Sequence, residues 1–153
     1  MEELIKQIKE LITKHKLDEN LIEEFNLISI AKDSHNLLKE ISEEIKDKFS
    51  TYAKILEEIL QPEHSYTTMQ ECASFNEKEI EKVTKTLSKL MFYINAYREA
   101  DLIASEEVYL EYIKEASKIW KETKEDLIEI IRKTKESWND HLPNKKKQEG
   151  YFG

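Results

Sequence analysis

Apolar residues recur along this chain at spacings of three and four, the signature of helices with one buried face. The first such stretch covers residues 2–16, where Leu4, Ile5, Ile8, Leu11 and Ile12 share a face. Asp18 fits the N-cap of a second helix, with Glu19 beside it near the positive helix end. From there a stripe runs through Leu21, Phe25, Ile28, Ala31, His35, Leu38, Ser42, Ile45, Phe49, Tyr52, Leu56 and Ile59. It never slips phase, which predicts one long helix from 18 to 61 rather than a break at Asp33. Pro62 ends that helix, because the residue before a proline is pushed out of helical geometry.

Residues 63–73 predict a turn or short helix. Thr67 with Gln70, Thr68 with Glu71, and Ser74 with Glu77 each fit a capping box. A third helix starts near 75 and carries Ile80, Val83, Leu87, Leu90, Ile94, Tyr97, Asp101 and Ala104 on its inner face. Ser105, followed by Glu106 and Glu107, reads as the N-cap of a fourth. That helix holds Tyr109, Ile113, Ala116, Trp120, Leu127, Ile130, Ile131 and Trp138, and ends before Pro143. No glycine or proline marks residue 105, so a continuous helix over 75–141, ~100 Å long, is the competing reading. Length favours the hairpin: segments 18–61, 66–104 and 106–141 match, as an up-and-down bundle requires.

The fold expected is therefore all-α, an antiparallel, coiled-coil-like up-and-down bundle of three long helices plus a short N-terminal helix. Residues 1–142 form one domain, and 143–153 a flexible basic and aromatic tail. The short first helix can cover only half of the bundle. Near the end of the second helix Phe49, Tyr52 and Leu56 are joined by Ile55 and Leu60, more apolar surface than one stripe needs. Such a surplus predicts a partner, most simply a second copy, with Phe49, Tyr52, Ile55 and Leu60 at the interface.

Composition supports helices and narrows the partners. The two glycines, Gly150 and Gly153, stand at the very end, and residues 1–142 contain one proline. Tight β-turns need positive φ, which glycine usually supplies. The net charge is −8, and only two of the 24 basic residues, Arg98 and Arg132, are arginines. Nucleic-acid readers need a basic footprint, so that class is excluded. The longest apolar run, Leu90–Ile94, is too short to span a bilayer, and the N-terminus lacks a signal-peptide core. One cysteine, Cys72, allows no internal disulfide. These features predict a cytoplasmic protein without membrane association.

Catalytic and metal chemistry finds little purchase. Di-iron bundles need Glu-x-x-His, yet Ile12, Lys32, Gln61 and Trp138 stand three residues before the four histidines. One cysteine excludes thiolate zinc sites. The Arg–His spacing of the HEPN ribonuclease bundles is absent too. Asp33-Ser34-His35 cannot act as a triad on a helix, where consecutive residues point about 100° apart.

The word "SHNLLKEI" around His35 resembles the phospho-acceptor stretch of histidine phosphotransfer modules. Lys39 falls one place late for that pattern, Glu40 stands where glycine is needed, and the stripe points His35 inward. His35 reads instead as a buried polar layer, level with Met91 and Trp120 if the chain reverses near 63.

Ser42, Asn76 and Asp101 also fall on inner faces, and Asp101 lies within reach of Tyr97, Tyr109 and Tyr112. In the tail, Tyr151 and Phe152 could anchor a docking peptide. The function these readings predict is a non-enzymatic interaction module (an adaptor, regulator or inhibitor) that binds itself or another protein and needs no cofactor. A small-ligand or metal site around His35 and Asp101 is the first alternative, and a phosphotransfer module the second.

Overall fold

The computed structural model describes residues 2–29 and 36–139. Among them every regular element is helical. In chain order these are α1 (Glu2–Lys14), α2 (Leu21–Glu24), a 3₁₀ turn (Leu27–Ser29), α3 (Leu37–Leu60), α4 (Tyr66–Ala73), α5 (Glu77–Ile103) and α6 (Glu106–Ser137). The three long helices α3, α5 and α6 pack together, and the shorter ones lie around them.

Ion pairs show the directions. Lys39 near the start of α3 meets Asp101 near the end of α5 at 3.4 Å. Glu79 at the start of α5 meets Lys133 near the end of α6 at 3.6 Å. Both neighbours of α5 therefore run antiparallel to it, as expected of an up-and-down bundle.

The hairpin at residue 105 forms without glycine. Ala104 takes the left-handed conformation at φ 56° and donates its N–H to Ala100 O at 2.7 Å. Ser105 Oγ then accepts from Val108 N–H at 3.2 Å and starts α6. A left-handed alanine is strained relative to glycine, which is why composition alone did not mark the turn.

The long second helix does not form; the chain breaks it. Phe25 caps α2, and Asn26 has a positive φ of 51° that no right-handed helix can accommodate. The next helix begins at Leu37, where Asn36 Oδ1 accepts from Lys39 N–H at 3.1 Å. Phase survived across the break because periodicity reports only which way side chains point. It does not test whether backbone hydrogen bonds continue. Asp33 and His35 lie outside the described residues.

The register also differs from expectation. α4 occupies the reversal between α3 and α5, so the chain turns later than residue 63. Phe49 shares a level with Trp120: their rings stack at 5.6 Å, 28° apart. Tyr93 meets Phe49 edge-on at 6.2 Å. Ser65 Oγ, not Thr67 or Thr68, starts α4 by accepting from Thr68 N–H at 3.2 Å. α4 in turn fastens the far end of α6, where Trp138 Nε1 donates to Glu71 Oε1 at 3.1 Å.

Candidate functional site

Trp120 organises the middle of the molecule. Besides Phe49, its ring meets Phe25 at 5.9 Å and Tyr52 at 5.6 Å. Its indole Nε1 donates to Glu24 Oε1 at 2.5 Å, and Lys124 Nζ donates to the same oxygen at 2.8 Å. Lys48 lies 5.1 Å from the Trp120 ring centroid and 5.7 Å from that of Phe25, and donates to Glu24 O. Burial works against the ionised form of Glu24. The hydrogen bonds from Lys124 and Trp120 outweigh it and hold the carboxyl below its ordinary range.

Just before this cluster, Asp18 pairs with Lys121 at 2.5 Å. Partial burial opposes its charge, but Lys121 and the Asn20 N–H win and lower its pKa. Leu21 and Phe25 are buried between these anchors. Residues 18–25 thus close one half of the seam between α3 and α6.

The other half of that seam is open. A groove of about 370 Å³ continues from Trp120 and Tyr52 along α6. Leu127, Ile128 and Ile131 supply its apolar wall, with Ile128 45% and Ile131 38% exposed. Lys48, Lys124, Arg132 and Lys135 line it against Glu23 and Glu24, so its local sign is positive on a chain of net charge −8. Arg132 has no ion pair among the described residues, and Lys135 reaches only its neighbour Glu136, at 3.9 Å. An apolar wall with fixed cations binds an apolar group that carries negative charge.

A second groove, of about 700 Å³, lies between α5 and α6. Met91, Phe92 and Val108 line it, and Glu99, Glu111 and Glu115 give it the sign of the whole chain. Tyr112 borders it, with a buried hydroxyl that has no hydrogen-bond partner among the described residues and a pKa raised chiefly by burial.

The sequence candidates are scattered rather than gathered at one site. Ser42 is buried, with its hydroxyl donating to Leu38 O at 2.8 Å within its own helix. Thr86 does the same toward Lys82 O at 2.9 Å, and the buried hydroxyls of Ser117 and Thr123 use Ile113 O and Ile119 O. Asn76 is exposed, not in the core. It is the N-cap of α5, in a reciprocal box with Glu79 at 2.9 and 3.0 Å.

Asp101 is also exposed. Tyr109 Oη donates to it at 3.1 Å and Lys39 pairs with it, raising the lysine's pKa. The carboxylate ties α3 to the α5–α6 turn. Phe49, taken as an interface residue, is 0% exposed beneath Trp120 and Tyr93. Tyr52, Ile55 and Leu60 are half-buried, and of these Tyr52 lines the open groove. His35, Tyr151 and Phe152 lie outside the described residues.

Among the described residues no group of three or more His, Cys, Asp or Glu is placed to hold a metal ion. No helix among them is long and apolar enough to cross a membrane. Comparison with protein-family models, with curated proteins and with solved structures finds no match.

Proposed function

We propose that this protein is a non-enzymatic helical interaction module, an adaptor, regulator or inhibitor, that self-associates or binds another protein through the open α3–α6 groove. The observation that carries the proposal is the reversed sign of that groove around exposed isoleucines. Ile128 and Ile131 leave water-exposed apolar surface on the helix whose Trp120 is buried roughly two to three turns earlier. Exposed apolar surface rimmed by charge is how interaction sites differ from ordinary surface. The lone, unpaired Cys72 is consistent with action in the cytoplasm.

The test is the double variant Ile128→Asp, Ile131→Asp. Both positions are exposed, so the fold should persist, checked by circular dichroism. The mass in solution and the proteins captured from a lysate are then compared with wild type. Loss of a dimer or of captured partners supports the groove as the working face. An unchanged mass together with an unchanged set of partners overturns the proposal.

A further inference from the structure

We infer that the open groove receives an acidic amphipathic helical segment of a partner protein, laid along α6 between Trp120 and Lys135. The inference rests on the groove being an interaction face, and adds the chemistry of its occupant.

The molecule itself carries the template. Residues 18–25, "DENLIEEF", are acidic and apolar by turns. They occupy the adjoining half of the seam with Leu21 and Phe25 buried. Asp18 pairs with Lys121 and Glu24 with Lys124, at 2.5 and 2.8 Å. Along α6 the same pattern then repeats with nothing laid upon it among the described residues. Ile128 and Ile131 take the place of the apolar contacts, and Arg132 and Lys135 the place of the cations.

Spacing describes the occupant further. Arg132 and Lys135 are three positions apart on α6, or ~4.5 Å along its axis. A helix that meets both cations carries carboxylates three or four positions apart. Apolar residues on its neighbouring face, also three or four positions apart, would meet Ile128 and Ile131. Arg132 suits a carboxylate because its planar fork can hold both oxygens at once. An acidic occupant also explains why a chain otherwise negative leaves Arg132 and Lys135 exposed beside these isoleucines.

The experiment uses the full chain and a labelled synthetic peptide made of two tandem copies of residues 18–25. Fluorescence anisotropy is expected to show saturable binding that weakens as salt is added. The double variant Arg132→Glu, Lys135→Glu should weaken it roughly five- to thirtyfold, with the melting temperature unchanged. A control peptide with Asn and Gln in place of Asp and Glu should bind no better than that variant does.

Three results would overturn the inference. They are a peptide that fails to bind, a neutral control that binds equally well, and a groove-dependent dimer that the peptide does not displace. In each, loss of partners or of the dimer in the isoleucine double variant would still leave the groove standing as an interaction face.

Discussion

Two halves of one seam meet different fates in this protein. Between α3 and α6, the half beside Lys121 and Lys124 is closed by the chain's own residues 18–25. The half beside Arg132 and Lys135 is open to water. Both present aliphatic or aromatic surface flanked by cations. They differ in whether the chain supplies an acidic segment to lie across them. The closed half acts as structure, and the open half is the face at which we propose a partner binds.

The largest expected contrast is in stability. Trp120 is buried against Phe25, Phe49 and Tyr52, so Trp120→Ala removes the centre of the closed half. It should cost about 3–5 kcal/mol in urea denaturation, a large share of a domain's total. Ile131→Ala in the open half removes a side chain that water already reaches, and should cost well under ~1 kcal/mol. Equal costs would mean that the two halves are packed alike.

A smaller effect tests how the closed half is made. Residues 18–25 can turn onto α6 only because the chain breaks before α3. If Asn36 caps α3, Asn36→Ala should destabilise by about 1 kcal/mol. If one helix ran through this position, the same change would stabilise slightly, since alanine is the better helix former. The sign of the shift in melting temperature decides between them, and amide exchange at Leu38–Ile41 should quicken in the capped case.

That sign also shows what was legible in the sequence. The all-α bundle and the turn at Ser105 follow from periodicity, caps and length. The break at Asn26 did not, because the stripes that flank it happen to share a phase. Asn36 caps α3, a role that an apolar stripe in unbroken phase conceals. Asn76 was assigned to the core by spacing, although its reciprocal partner Glu79 stood three residues on.

The groove was half legible. Tyr52 was identified, while Ile131 was counted with the core beside Ile130. Adjacent helical residues diverge by about 100°, so both could not face inward equally. Ile130 is 3% exposed and Ile131 38%. The cations at Arg132 and Lys135 were the available signal for the wetter face. Pairings such as Glu24 with Trp120 join distant parts of the chain and could be read only from the fold.

The smallest expected effect is electrostatic and belongs to the closed half alone. Glu24 has a folded pKa below its ordinary 4.5, since Lys124 and Trp120 both stabilise its charge. The unfolded chain therefore takes up this proton first as pH falls, and stability rises with pH in that range. The contribution is complete above about pH 4.5 and is lost as acid carries the pH through the lower folded value. Its size should be about 0.2–1 kcal/mol, because the carboxylate is partly exposed and screened by water. Trp120 emission, followed in a Trp138→Phe background, should change over this range as its hydrogen bond to Glu24 weakens. Glu24→Gln should remove most of the change and leave a residue from Asp18, whose ordinary value is 3.8 and whose pKa is also lowered. If the Gln variant titrates like the parent, Glu24 is not what holds residues 18–25 on α6, and the contrast between the two halves must rest on apolar packing alone.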